Sequence, residues 1–179
     1  MPVRLVVEEG PWPGVSRVDV VRRARAMLVA VQMADAELSI LLTGDDQIQN
    51  LNRIYRKKNR PTDVLAFAQR EGKHGQHAGL LLGDVVVSIP TARRQAEAAG
   101  RDLGSELTML LAHGLLHLLG WDHETALKDR RMRRETERLC AAADVAARAR
   151  RVPGPRVKGR SARRANGDSI ARRAARSGR

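Results

Sequence analysis

The sequence carries one cysteine, Cys140, in 179 residues. A single thiol excludes an internal disulfide framework and a zinc site built from several thiolates, and leaves Cys140 as a buried helix residue with no disulfide partner. A long apolar run is also missing. The least charged stretch, Leu107 to Trp121, spans fifteen residues and includes two His, short of the ~20 apolar residues that a membrane helix requires. The opening MPVRLVVEEGPWPG places Glu8 and Glu9 where a secretory leader would carry its apolar stretch. No membrane segment is therefore expected, and the cytoplasm is the expected location.

Acidic residues are scarce in one region. From Arg148 to Arg179 there are eleven Arg and one Lys against a single acid, Asp168. The remainder, Met1 to Ala147, holds 21 basic and 19 acidic residues, so the formal net charge of +13 belongs mostly to the end of the chain. That end is also rich in Pro and Gly and has few large apolar residues after Val157. It cannot bury enough surface to offset its ordering entropy, so residues 148–179 are expected to be a disordered basic tail. The tail reads either as a solvated extension or as an arm adding non-specific RNA affinity. Residues 1–147 are the right size for one domain with a single core.

Periodicity divides that domain into short elements. Val3 to Val7 reads as a strand, and the Gly10-Pro11-Trp12-Pro13-Gly14 cluster as a loop. Ser16 caps a helix through about Met33, with Val20, Val21, Ala24, Met27, Leu28 and Val31 at helical spacing. Glu37 to Thr43 is a second strand, and Asp45 is the expected cap of a helix over Gln47 to Tyr55. Val64 to Phe67 is a third strand, and Gln69 to Gly79 a polar loop in which His74 and His77 are expected to be solvated. Leu80 to Ile89 makes a fourth strand whose Gly83 marks a bulge or a close backbone approach. Helices follow over Pro90 to Ala99, Ser105 to Leu119 and about Thr125 to Ala147. The order β-α-β-α-β-β-α-α-α predicts an α+β domain, with helices packed on a small mixed sheet.

The informative stretch is His113-Gly114-Leu115-Leu116-His117-Leu118-Leu119-Gly120-Trp121-Asp122-His123. Four residues apart on a helix, His113 and His117 project from one face and can close on one ion. Gly120 tolerates the left-handed conformation that ends a helix, so the chain can turn back and bring His123 to the same ion. Any one histidine on an apolar helix is ordinarily a core residue with its nitrogens satisfied, but three at these offsets form a ligand set. Three neutral imidazoles leave the fourth place of a tetrahedral zinc open to water, which is the arrangement of a catalytic site and lowers the pKa of that water to about 7.

The spacing is similar to H-E-x-x-H-x-x-G-x-x-H of the metzincin proteases, but Gly114 stands where those enzymes carry their general base. Peptide hydrolysis thereby loses its proton acceptor. Phosphodiester cleavage depends less on one, provided that cations stabilise the charged phosphorane. Basic residues crowd the segment from Asn52 to Phe67. Arg56 offers a planar fork matched to phosphate and is the candidate for that contact, although such clusters are commonly solvated turns.

These residues resemble the YbeY family of bacterial rRNA-maturation endoribonucleases. The family pattern H-G-x-L-H-L-x-G-Y/F-D-H is met from His113 to His123, with Trp121 as the variant that keeps an aromatic beside the metal loop. The pattern L-N-x-x-Y/F-R-x-K-D/N-x-P-T-D-V-L-S-F is met from Leu51 to Phe67, except that Ala66 replaces Ser and puts in doubt any hydrogen bond made by that hydroxyl. Leu82-Gly83-Asp84-Val85 fits L-G-D-I/V. The resemblance covers roughly residues 3–147. It implies a four-stranded mixed sheet with a zincin-like metal helix, and a zinc-dependent, single-strand-preferring endoribonuclease acting in 16S rRNA 3′-end maturation and ribosome quality control. It implies His113, His117 and His123 as ligands of one Zn2+, with Arg56 beside them as the functional arginine, and precursor 16S rRNA and the ribosome as partners. Two alternatives remain: a zinc-containing rRNA-binding assembly factor without intrinsic cleavage, and a metalloprotease-like hydrolase. Asp63, Asp84 and Asp122 are candidate supporting groups around the metal, unranked by the sequence.

Overall fold

The computed structural model describes residues 3–69 and 80–149. Its elements are β1 (Val3–Val7), α1 (Arg17–Ala30), β2 (Glu37–Thr43), α2 (Asp45–Arg56), β3 (Val64–Ala68), β4 (Leu81–Ser88), α3 (Ile89–Ala98), α4 (Leu103–Leu118) and α5 (Ala126–Arg148). The fold is α+β in the expected order. His74, His77 and the basic tail from residue 150 onward lie outside the described residues.

The strands form one mixed sheet in the order β1-β2-β4-β3. Pairs β1·β2 and β2·β4 are parallel, with a helix in each connection, whereas β3 runs antiparallel to β4. The register skips one residue of β4, because Glu37 faces Leu81 while Leu38 faces Gly83. This bulge turns Leu82 to the same side as Val85 and Val87, and all three are fully buried in the main core. Gly83 has φ +142°, and a Cβ there would lie 2.1 Å from the Phe67 carbonyl oxygen. Both expectations for Gly83, a bulge and a close backbone approach, are therefore realised.

Helix α4 is the centre of the molecule. It touches β3, β4, α1, α3 and α5, and Leu107, Leu110, Leu111, Leu115 and Leu116 are buried along it. Each such leucine withdrawn from water contributes about 1.5–3 kcal/mol. Its N-terminus is capped by Asp102, whose carboxylate accepts from the Ser105 amide at 2.9 Å. The opposite face of the sheet is covered by α2, where Ile48 meets Leu65 and Val86 in a smaller cluster. A helix wedged between a sheet and other helices has little freedom, and the side chains it carries inherit that rigidity.

Three local expectations are corrected. Helix α1 stops at Ala30 rather than near Met33, because Gln32 adopts φ +59° and the Met33 amide reaches back to the Leu28 carbonyl at 2.8 Å. That is a left-handed helix end, which apolar periodicity does not reveal. Helix α2 begins at Asp45, with Gly44 as its cap. The Gly44 amide donates to Glu9 Oε2 at 2.7 Å, which frees the Asp45 carboxylate to accept from Ser88, Thr91 and Arg94 of the neighbouring segment. Cys140 is half-buried on α5, and burial, reinforced by the charge of Asp144, pushes its thiol up to about 11.

Candidate metal centre

The geometry of the centre follows from the last two turns of α4 and the loop after it. His113 and His117 lie half-buried on one face of the helix. Between them Gly114 faces the sheet, where an added Cβ would lie 2.8 Å from Val85 Cγ1 and 3.4 Å from Val64 Cγ2. The helix therefore sits so close to β3 and β4 that no side chain fits at this position. A metzincin-type glutamate is excluded here by packing as well as by identity.

After Leu119 the chain turns at Gly120, with φ +83°, and the Trp121 amide reaches back to the Leu116 carbonyl at 3.0 Å. Asp122 then holds the loop by accepting from the Glu124 amide at 3.2 Å and from Lys128 Nζ at 2.7 Å. Thr125 caps α5 and accepts from the Lys128 amide. His123 is thereby returned to the other two. The ligand nitrogens of His113, His117 and His123 all lie within 4.8 Å of one another, a group that could hold a metal ion.

The electrostatics suit ligation. Burial depresses the pKa of His113, the neighbouring His117 and His123 depress it further, and the negative charge of Asp63 opposes them. Burial likewise lowers His117, helped by His123 and Arg56 against the contact with the Trp121 carbonyl and the charge of Asp122. Both rings are biased to the neutral form, and a metal binds only that form. His117 Nδ1 lies 3.0 Å from the Trp121 carbonyl oxygen and its Nε2 3.1 Å from Nε2 of His113.

A cleft of about 690 Å³ opens beside the histidines. His117, Trp121 and His123 line it from α4 and the loop after it, and Arg56, Lys58 and Arg60 from the end of α2 and the turn that follows. Arg56 ends α2, and Lys57 follows in the left-handed conformation. Its guanidinium donates to the Ala66 carbonyl at 2.9 Å and lies 6.0 Å from the centre of the Phe67 ring. The turn carrying Lys58 and Arg60 is fixed by the buried Asn52, whose Nδ2 donates to the Arg60 carbonyl at 2.8 Å.

Of the four singled-out residues, His113 adjoins the cleft through the histidine group, and Arg56, His117 and His123 line it. Asn52, Lys58 and Arg60 belong to it as well; they were legible only as part of a basic turn, because a cleft wall is formed by residues distant in sequence. The three aspartates separate in space. Asp63 accepts from Gln95 Nε2 at 3.0 Å and its charge reaches His113, and Asp122 secures the His123 loop. Asp84 lines a separate hollow with Arg4 and Ser39.

Fold and site together define a class: an α+β protein with a three-histidine group, of a kind that could hold one metal ion, open to a cationic cleft. The family model described as Endoribonuclease YbeY matches residues 18–144. The chain belongs to the YbeY family of endoribonucleases, hydrolases of phosphodiester bonds. It is 50% identical over 133 residues to "Endoribonuclease YbeY" of Anaeromyxobacter sp. (strain Fw109-5), a match covering 74% of this chain and 68% of the relative. With the protein of the same name from Anaeromyxobacter dehalogenans (strain 2CP-C), identity is 50% over 120 residues, 67% of this chain and 61% of the relative. With that from Aquifex aeolicus (strain VF5), it is 44% over 114 residues, 64% of this chain and 74% of the relative. The solution structure of a Thermotoga maritima protein shares the fold, with a TM-score of 0.56 and 23% identity over 82% of this chain and 92% of that one. Among the described residues, no helix is long and apolar enough to cross a membrane.

Proposed function

We propose that this protein is a zinc-dependent, single-strand-preferring endoribonuclease that acts in 16S rRNA 3′-end maturation and ribosome quality control. His113, His117 and His123 are its ligands for one Zn2+, and Arg56 is the catalytic cation that holds the scissile phosphate. The observation that carries this reading is a three-imidazole group two of whose members, His117 and His123, line one cleft with the tethered guanidinium of Arg56.

The donor set fits zinc. Nitrogen ligands at about 2.0–2.1 Å in a tetrahedral site stand roughly 3.3 Å apart, and the Nε2 atoms of His113 and His117 are 3.1 Å apart. When bound, zinc would supply a Lewis acid for the phosphate and lower the pKa of water at the site. The protein does the rest. His117 is held in one tautomer by the Trp121 carbonyl, and the Asp122–Lys128 pair keeps the His123 loop closed. The Ala66 carbonyl takes one guanidinium N–H of Arg56, leaving the other edge of the fork to span two phosphate oxygens. Gly114 leaves no carboxylate between the first two ligands, which disfavours a protease.

Residues 1–147 act as one catalytic domain in the cytoplasm, and the basic tail from 148 to 179 adds non-specific affinity for precursor rRNA and the ribosome. The direct test is cleavage of a single-stranded 16S rRNA 3′-end substrate by zinc-loaded protein. Cleavage that disappears in His117→Ala is expected. Full activity of that variant refutes the metal mechanism, and a cleavage-dead, metal-loaded variant that still supports ribosome assembly would favour the non-cleaving assembly factor.

A further inference from the structure

The sequence contains four aromatic residues of the Phe, Tyr and Trp type; one of them lines the cleft and two more meet beside its Arg56. Trp121 lines it between His117 and His123. Tyr55 and Phe67 meet edge to face at 5.1 Å beside Arg56. Phe67 packs against the smaller core cluster, but the core does not account for Trp121, which is 37% exposed at the cleft.

The backbone of Trp121 is held from both sides. Its amide donates to Leu116 and its carbonyl accepts from His117. The indole therefore starts from a fixed point relative to the histidine centre, and the same cleft is lined by Arg56, Lys58 and Arg60. Cations that track a phosphate backbone and a flat ring free to stack are the two components of a single-stranded nucleic-acid site. A duplex hides the faces of its bases within the stack, so only an unpaired nucleotide can present one to such a ring.

We propose that Trp121 stacks on an unpaired nucleobase adjoining the phosphate held by Arg56, and that this contact selects single-stranded over double-stranded RNA. The proposal rests on the endoribonuclease reading above and assigns its strand selectivity to one side chain. A purely structural role, covering the loop that returns His123, would be filled by any bulky apolar residue; stacking needs a flat ring.

The test uses full-length, zinc-loaded protein carrying Trp12→Phe, so that Trp121 is the remaining indole. Trp12 packs near Gly44 at the opposite end of α2 from Arg56 and leaves the cleft untouched. An eight-nucleotide single-stranded RNA is expected to quench the Trp121 emission, and a duplex of the same sequence is expected to leave it unchanged. Trp121→Leu is expected to weaken single-strand binding by about 5- to 150-fold, the loss of one stacked base, without changing duplex binding, while Trp121→Tyr binds as the parent does. Should Trp121→Leu fail to hold one zinc per chain, a series of RNAs with a single abasic site replaces it, and one abasic position must reproduce both the lost quenching and the lost affinity. Unchanged single-strand affinity in Trp121→Leu, or quenching that survives every abasic position, overturns the proposal while leaving cleavage by the parent protein to support the endoribonuclease reading. If the parent neither binds nor cleaves RNA, both fall.

Discussion

Nδ1 of His117 faces the carbonyl oxygen of Trp121 at 3.0 Å, and this contact determines which nitrogen of the ring is available. A carbonyl can only accept, so in the neutral ring Nδ1 carries the proton and Nε2 presents its lone pair. That lone pair points toward Nε2 of His113. The residue that ends the helix turn therefore sets the tautomer of a candidate ligand four positions earlier, a support that metal-binding histidines commonly receive from a backbone carbonyl.

Replacing His117 removes both the lone pair and the anchor. His117→Ala is expected to purify with far less than one zinc per chain and to lose RNA cleavage by at least about a hundredfold, the size commonly seen when metal-site support is lost. Metal analysis and a cleavage assay on one preparation check this. A variant that retains one tightly bound zinc shows that the other two histidines suffice.

Arg56 makes a different prediction, because its charge reaches His117 while its hydrogen bond goes to the Ala66 carbonyl. Arg56→Ala is expected to keep its zinc and its thermal stability while cleavage falls by about 10²–10³, the effect of removing one preorganised donor from a developing charge. Arg56→Lys should recover little of it, since an ammonium cannot hold the Ala66 carbonyl and span two phosphate oxygens in one plane. Equal rates for the Arg and Lys proteins at saturating RNA would show that only the charge matters.

How far the sequence alone leads depends on the range of the interaction. The histidine centre is local: an i, i+4 pair, a glycine three residues on and a third histidine three beyond that all lie within eleven residues, and one helix turn brings them together. The succession of strands and helices along the chain followed for the same reason. The function of Asp45 was illegible because its partners Ser88, Thr91 and Arg94 lie more than forty residues away, and a cap is the default reading of an aspartate before a helix. Distance also explains why Asp63, Asp84 and Asp122 looked alike. Only the sheet puts Asp63 within the field of His113 and turns Asp84 elsewhere.

Gly114 illustrates a residue whose identity was plain and whose cause was not. A helix-interior glycine costs about 1 kcal/mol relative to alanine, so Gly114→Ala would stabilise an isolated helix. Here the new Cβ meets the stiff, branched Val85 at 2.8 Å, and overpacking of that kind costs about 1–3 kcal/mol. A net loss of up to about 2 kcal/mol is expected by chemical denaturation. In a Val85→Ala background the clash is gone, and the same substitution should become neutral or stabilising. If Gly114→Ala costs as much there as in the parent, the contact with Val85 is not the reason for the glycine.

The same histidines predict how the metal-free protein responds to acid. Folding depresses the pKa of His113 and His117, chiefly through burial, below the usual imidazole value of 6.5. At a pH between the folded and unfolded values, the unfolded chain binds more protons than the folded one, so stability rises with pH across that window. The contribution is fully present above about pH 6.5 and is lost as the pH falls through the folded values. Asp45 and Asp102, whose folded pKa values are held below 3.8, act only in stronger acid and do not overlap this range. Thermal melts of the zinc-stripped protein between pH 7.5 and 5 are therefore expected to show a falling Tm, and a His113→Gln/His117→Gln double variant a flatter profile. Zinc should deepen the contrast, because protons compete with it for the same nitrogens and its binding energy disappears over the same pH range. Parallel Tm profiles for the parent and the double variant, each without metal, would mean that the two imidazoles are no harder to protonate in the fold than in water.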